Sequence, residues 1–333
     1  MVLTLSSCRD HASSLFRCML SPLGVSAFAV GLQLEAIVEF PFGQTCRVGL
    51  GSFAFRYAVG TEGFSSPRPM DCLQFLRTAH QLGYQGVQFC ENLMYARSGR
   101  DELVSLGQEA RKLGMFVELG MNSLTDENLA RHLEIAEIVG ADLTRIVLGG
   151  ERSTEPSPRR VADATSILKN AIPQSRRQQV TLGIENHFDL STSDIVAIAR
   201  AIDDEQVGLI FDATNALGFL EKPADTFALM RSYLIACHIK DYRIEKIEGG
   251  YFITGARLGT GMLDVNNILP TVLALPRKIS VVLESFQRRQ DQWTIDEVIY
   301  WERRQIEVDT IYLLECLEWG HPTKQCGDQC GRN

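Results

Sequence analysis

The sequence predicts an α/β fold, a single (β/α)8 barrel over residues 47–317 of 333. Two observations carry that expectation. Eight short runs rich in β-branched and apolar residues alternate with stretches whose apolar residues recur at helical spacing. The 270 positions from 48 to 317 also divide into units of about 34 residues, the size of one βα unit in such a barrel. The strand-like runs are Val48–Phe53, Val87–Phe89, Phe116–Leu119, Arg145–Leu148, Val180–Ile184, Val207–Phe211, Leu234–Ile239 and Ile279–Leu283. Helical spacing is clearest in Cys72-Phe75-Leu76-Ala79-Leu82 and in Leu129-Leu133-Ile135-Ala136-Val139. Gly83, Gly114 and Gly140 each follow a periodic run, where a left-handed residue ends a helix. The stretches Ser123 to Asp126 and Ser191 to Ser193 open two helices, with hydroxyls or a carboxylate to cap first-turn amides. A doubly wound open sheet alternates in the same way, but it carries a glycine-rich phosphate turn after its first strand. Here the first strand runs into Phe55-Arg56-Tyr57 with no G-x-G-x-x-G, so the barrel is favoured.

Charge and cysteine usage narrow the function classes. Lys and Arg total 33 against 41 Asp and Glu, a net charge of −8, which excludes nucleic acid and anionic membrane surfaces as expected partners. An acidic chain suits a bound cation. No run of 18 apolar residues is uninterrupted, so no spanning helix is expected. Nine scattered cysteines point to a reducing, cytoplasmic setting and not to a disulfide framework. Residues 1–46 are expected to form an extension outside the barrel. Their apolar stretch is broken by Gln33, Glu35 and Glu39, and Asp10 lies among the leading charges, unlike an export signal. Residues 318–333 read as a disordered tail, and Cys316, His321, Cys326 and Cys330 match no standard zinc spacing. Arg303 and Arg304 with Glu302 and Glu307 read as the solvated face of the last helix.

The chemistry concentrates where the last four strands stop. They end in Gly183-Ile184-Glu185-Asn186-His187, Ile210-Phe211-Asp212-Ala213-Thr214-Asn215, Cys237-His238-Ile239-Lys240-Asp241 and Val282-Leu283-Glu284-Ser285. Strand C-termini of a barrel open on one mouth, where active sites of this fold lie. Three carboxylates converging there repel one another unless a cation sits between them. Glu185, Asp212, His238 and Glu284 offer oxygens, one imidazole and no thiolate, a set that suits one divalent ion: Mn2+, Mg2+, Co2+ or Zn2+.

The runs IENH, DATNAL, HIKDY, GTGMLD and LES resemble those of the xylose-isomerase-like TIM barrel superfamily, from about Val48 to Leu314. That group holds sugar epimerases and isomerases, inosose and dehydroshikimate dehydratases, and family 2 AP endonucleases. The resemblance implies one divalent metal on the four residues above. It also implies catalytic roles for Glu185 and Glu284, which in the epimerase branch exchange protons with substrate. One position departs from the pattern: Asn215 stands where epimerases and several relatives carry a histidine, and an amide cannot shuttle protons near pH 7 as imidazole does. The nuclease branch needs further metals and histidines, and the net charge opposes it. With SFAFRYAVG and GARLGTGMLD added, the sequence is most similar to the branch containing 3-oxo-isoapionate decarboxylase. Decarboxylation of a sugar-derived 3-oxo acid, through an enediolate that a metal stabilises, is therefore the expected activity. Ketose epimerisation or isomerisation is the alternative, and a non-catalytic metal-binding barrel the third reading.

An acid substrate needs a cation for its carboxylate. Arg56 at the end of strand one, Lys240 beside His238 and Arg257 in the long loop after strand seven are the candidates, with His187 as a further contact past a strand end. The bland reading is a surface base for each cation and a satisfied structural histidine for His187. Gly255 to Gly261 reads as a hinge or a backbone approach to ligand, with Asp264 placed to cap the helix that follows. The expected partner is a small carbohydrate-derived molecule, with no nucleic acid and no membrane. A homodimer is an expectation from the fold type alone.

Overall fold

The computed structural model describes residues 46–149 and 155–319. The expected N-terminal extension (save Cys46) and the tail histidine and cysteines beyond Cys316 lie outside them.

Strands β1 (Cys46–Gly51), β2 (Gly86–Cys90), β3 (Phe116–Asn122), β4 (Leu143–Val147), β5 (Thr181–Glu185), β6 (Val207–Asp212) and β7 (Leu234–Ile239) pair in parallel in sequence order. An antiparallel hairpin follows, β8 (Asp241–Ile247) and β9 (Gly250–Ala256), before β10 (Ile279–Leu283) closes the barrel between β7 and β1. The expected (β/α)8 barrel is thus the observed one. Its helices are α1 (Arg56–Val59), α2 (Cys72–Gln81), α3 (Arg100–Lys112), α4 (Asp126–Val139), α5 (Ser157–Gln178), α6 (Thr192–Ile202), α7 (Pro223–Met230), α8 (Val265–Leu273) and α9 (Ile295–Trp319). No helix among the described residues is long and apolar enough to cross a membrane.

Helix ends follow the local chemistry. The Thr125 hydroxyl accepts from Asn128 N at 3.1 Å and Ser191 Oγ from Asp194 N at 3.3 Å, each satisfying a first-turn amide. Gly140 closes α4 at φ 79°, a conformation costly to a side-chain-bearing residue. Strands of a parallel barrel are covered on both faces, which is why they read as continuous apolar runs. Toward their N-terminal ends the interior is filled by large side chains lying over glycines. A Cβ at Gly86 would come within 2.3 Å of the Phe116 ring, so β2 and β3 pack there only because that atom is missing. Leu143, Ile210 and Ala236 form a small apolar cluster on the same strand faces that carry the polar groups higher up.

Several details differ from expectation. Strand one begins at Cys46 and stops at Gly51, because Ser52–Phe55 coils into a 3-10 turn. The connection after strand seven is the hairpin, whose turn uses Gly249 at φ 78°. In the glycine stretch the Asp241 carboxylate gathers the amides of Tyr242, Gly259, Gly261 and Leu263 at 2.7–3.0 Å, and a Cβ at Gly261 would meet Asp241 Oδ1 at 2.2 Å. At Gly259 and Gly261 the backbone approaches Asp241, while Gly255 lines the cavity at the barrel mouth. Asp264 stands at the N-cap of α8 but accepts from the Asn267 side chain instead of a backbone amide. Glu302, assigned to the solvated face of α9, is buried and accepts from Tyr57 N and Ala58 N at 2.7 and 2.8 Å, holding the start of α1.

Candidate metal centre

Glu185 and Asp212 end β5 and β6, His238 sits one residue before the end of β7, and Glu284 follows β10. All four are buried, and one ligand atom from each lies within 4.8 Å of the others. Local bonds fix them. Asp212 N donates to Asn186 Oδ1 at 2.7 Å while Asn186 Nδ2 donates to the Asp212 carbonyl at 3.0 Å, locking two strand ends together. Thr214 N and Asn215 N both donate to Asp212 Oδ1 at 2.8 Å, which orients the carboxylate and leaves Oδ2 to the cluster. His238 Nδ1 lies 3.0 Å from Glu185 Oε1 and 3.6 Å from Glu284 Oε1, so that nitrogen is the one facing the carboxylates.

Two cations answer the negative charge. Arg145, buried on β4, pairs with Glu185 Oε2. Lys240 Nζ lies 2.7 Å from Asp212 Oδ2 and 3.1 Å from Glu284 Oε2. With the imidazole neutral, as a metal ligand must be, three carboxylates against two cations leave one net negative charge to meet a divalent ion. Burial pushes the Glu185 carboxyl up, but Arg145 and His238 outweigh it and hold it well below the usual range. Burial, Glu185 and Glu284 together raise Asp212 against the pull of Lys240. Burial also pushes Glu284 up, yet Lys240 and His238 leave it low. For Lys240 burial favours the neutral amine, but Asp212 and Glu284 raise it well above its ordinary value.

The cluster fits a divalent ion on its own chemistry. Glu284 Oε1 is a buried carboxylate oxygen that accepts no hydrogen bond, a costly state that a bound cation relieves, while Glu185 Oε2 and Asp212 Oδ2 are met by the Arg145 and Lys240 cations. Oxygens with one imidazole are the donors hard and borderline divalent ions take.

A cavity of about 620 Å3 opens at the barrel mouth, lined by Arg56, Arg145, His187, Lys240 and Glu284 with Phe188, Phe252 and Phe286 around them. Among the cluster's carboxylates only Glu284 lines it. Arg56, which opens α1 and does not end the strand, is pinned: its guanidinium carbon lies 4.6 Å from the Tyr57 ring centre and 4.3 Å from that of Phe286. Nη2 donates to Tyr57 Oη and to the Gln287 carbonyl, both at 2.7 Å. His187 reaches the cavity with its ring edge-on to Phe188, centres 4.8 Å apart. Arg257 is half-buried and does not line the cavity, because the Asp241-centred turn carries it aside. Sequence reasoning missed Arg145. Its signal was a charged residue inside the apolar run Leu143–Val147, which can be buried in a strand only with a partner inside the barrel.

A closed parallel barrel with a buried acid–histidine cluster at its mouth defines the class. The pattern of the xylose isomerase-like TIM barrel family matches residues 76–304, and the chain belongs to that family. It is 27% identical over 265 residues to 3-oxo-isoapionate decarboxylase of Pectobacterium atrosepticum, covering 76% of this chain and 94% of that protein. Among solved structures, an L-ribulose 3-epimerase superposes with a TM-score of 0.63 at 14% identity, over 83% of this chain and 96% of its own. The IolI protein with a bound zinc atom superposes with a TM-score of 0.61 at 14% identity, over 80% and 99%. The last two likenesses are of fold.

Proposed function

We propose that the protein is a divalent-metal-dependent carboxy-lyase that decarboxylates a small sugar-derived 3-oxo acid such as 3-oxo-isoapionate. The observation that carries this reading is the inequality of the two glutamates. Glu284 faces the cavity, whereas Glu185 stands behind it with Arg145 on its outer oxygen. Epimerisation needs one group to take a proton and another to return it from the opposite face. Decarboxylation needs only one acid beside the substrate.

Glu185, Asp212, His238 and Glu284 would hold the ion, which supplies Lewis-acid stabilisation of the charge left on substrate oxygens as CO2 departs. Lys240, between Asp212 and Glu284 and lining the cavity, would act on the substrate by its charge. Arg56, fixed between two rings, offers a preset guanidinium to a substrate carboxylate. Glu284, a carboxylate beside Lys240 that faces the cavity, would relay a proton from water to the carbon that has lost CO2. His187 is placed to contact a substrate hydroxyl from the cavity wall. The charge balance agrees: a divalent ion turns the net −1 of the cluster into +1, which a monoanionic acid neutralises and a neutral ketose does not. Asn215 donates to Glu185 Oε1 and the Asn186 carbonyl at 3.3 and 3.2 Å, serving structure where a shuttle would need imidazole. The 27% identity to a decarboxylase supports the same choice.

The test incubates Mn2+-loaded protein with 3-oxo-isoapionate and with free ketoses in deuterated water. CO2 release from the acid, with turnover surviving in Glu185→Gln and lost in Glu284→Gln, is the expected result. Deuterium entering a neutral ketose, abolished equally by both substitutions, would replace the decarboxylase with an epimerase.

A further inference from the structure

Asp309, inside α9, is a buried carboxylate that the proposed reaction does not use. Its oxygens collect three donors from two separate loops. Oδ1 accepts from Leu258 N at 2.9 Å, just past β9. Oδ2 accepts from Ser285 Oγ and Gln287 Nε2, both at 3.1 Å, in the segment that leaves β10.

That segment forms one half of a clamp around Arg56. Its main chain lies directly on Gly255, where a Cβ would come within 2.1 Å of the Phe286 carbonyl oxygen. The Gln287 carbonyl accepts from Arg56 Nη2 at 2.7 Å, and the Phe286 ring centre lies 4.3 Å from the guanidinium carbon and 5.8 Å from Lys240 Nζ. The other half of the clamp is Tyr57, whose ring and hydroxyl meet the guanidinium and whose amide is bonded to Glu302. Glu302 and Asp309 stand about two turns apart, on the same face of α9. That face gives one buried carboxylate to each half of the clamp.

We propose that Asp309 is a positioning residue that sets the Arg56 guanidinium for a substrate carboxylate, by fixing Phe286 and Gln287 against Gly255. The inference rests on Arg56 being the acid contact. The neighbouring Glu284 has anchors of its own: its amide donates to the Ile239 carbonyl at 2.9 Å, and Lys240 meets its Oε2. Loss of Asp309 therefore loosens the ring and carbonyl that hold Arg56 and spares the cluster, so the cost falls on KM and not on kcat. An amide can replace the carboxylate. Its oxygen still accepts from Leu258 N, while its NH2 donates to Ser285 Oγ and to Gln287 Oε1 once the Gln287 amide inverts. The role is one of hydrogen bonding, not of charge.

Nitrogen-15 spectra of the arginine-labelled full chain, with Arg56→Gln assigning the signals, read the guanidinium without substrate. Because Nη2 donates to both Tyr57 Oη and the Gln287 carbonyl, rotation is blocked and the two Nη signals should stay separate in wild type and in Asp309→Asn. They should merge in Asp309→Ala. Merged signals in wild type, or separate ones in Asp309→Ala, overturn the proposal. In kinetics, Asp309→Ala should raise KM for 3-oxo-isoapionate about tenfold, the factor matching the net worth of one hydrogen bond, with kcat and Mn2+ affinity kept. Asp309→Asn should stay near wild type; equal damage in both variants would make charge the cause and refute positioning. In an Arg56→Gln background, Asp309→Ala should add nothing to KM, and a further rise there refutes action through Arg56. A fixed guanidinium in a protein that releases no CO2 would sink the carboxy-lyase reading and leave the positioning role standing on the spectra. Should Asp309→Ala fail to fold, Gln287→Met cuts the same link at a half-buried side chain and carries the same expected outcomes in both measurements.

Discussion

Replacing Arg145 by Met tests whether the cluster's charge balance is electrostatic in origin. The guanidinium sits buried against Glu185 Oε2, with Asn122 Oδ1 at 3.4 Å as its other side-chain neighbour. Methionine keeps much of the volume and removes the charge, making the cluster more negative by one unit. Breaking a buried pair by deleting one partner costs about 3–5 kcal/mol, because the remaining charge is left without compensation. At about 2 °C per kcal/mol for a chain of this size, metal-free Arg145→Met should melt some 6–10 °C below wild type. Divalent ion should then recover more in the variant than in wild type. Saturation at 100 Kd stabilises any single-site protein by about 2.7 kcal/mol, and the extra negative charge lowers Kd itself. Thermal unfolding of chelator-treated and Mn2+-loaded forms of both proteins gives the comparison. Equal metal-induced shifts in the two, or metal-free proteins of equal stability, would refute the idea that Arg145 stands in electrostatic balance with Glu185.

Glu302 gives a pH prediction. Burial pushes its carboxyl from 4.5 up to about 7, partly offset by the amides of Tyr57 and Ala58. A raised carboxyl favours the folded state while protonated, so its contribution is complete below about 4.5 and is lost as pH climbs through about 7, a change of about 3 kcal/mol. Glu302→Gln should flatten that part of the urea-unfolding profile, and an unchanged profile would count against it. Gly86→Ala should destabilise by about 1–3 kcal/mol, since the Phe116 ring 2.3 Å from the new Cβ is itself backed by Arg47 at 4.0 Å; an unmoved denaturant midpoint would show that the interior yields there. Because β1 pairs with both β10 and β2, a chain starting at Cys46 should fold and bind Mn2+ as the full chain does. Loss of folding in that chain would show that residues before Cys46 complete the barrel.

The metal cluster was legible because each of its members interrupts an apolar run, and a barrel sends all strand C-termini to one mouth. Arg145, Gln88 and Glu118 break apolar runs too, but in mid-strand, where the face a side chain takes depends on register. Only the pairings of Gly120 with Arg145 and of Gln88 with Glu118 show which of these groups meet. The hairpin was hidden for a different reason. Asp241–Ile247 mixes Arg243, Glu245 and Lys246 with isoleucines, and five of its seven residues are exposed, so it shows no buried face to periodicity. Arg257 looked like a substrate contact from its place in a long connection. Which way that connection turns is decided by the Asp241 carboxylate, a tertiary contact over 18–22 residues. Glu302 lies among Arg303, Arg304 and Glu307, and nothing in that helical stretch announces that α1 docks on it.

The inequality of the two glutamates follows from strand geometry. Arg145 lies on β4, the neighbour of β5, in register with Gly183, two residues before Glu185 and on the same face. It pairs directly with Glu185, while Glu284 follows β10 on the far side of the barrel. Lys240 follows His238 by two residues, so it shares that face and falls between β6 and β10, where Asp212 and Glu284 project. Each cation is thus committed by its strand to a different carboxylate. Removing the Lys240 charge should weaken the hold on an acid substrate and free Glu284 from its partner, changing both KM and the pH dependence of kcat. Removing Arg145 should act on metal affinity and stability and leave the proposed acid contact at Arg56 in place. A site built for two matched proton exchangers would need its glutamates equally exposed and equally neutralised. This barrel places one behind a guanidinium and the other at the cavity wall, the asymmetry on which the proposed decarboxylation rests.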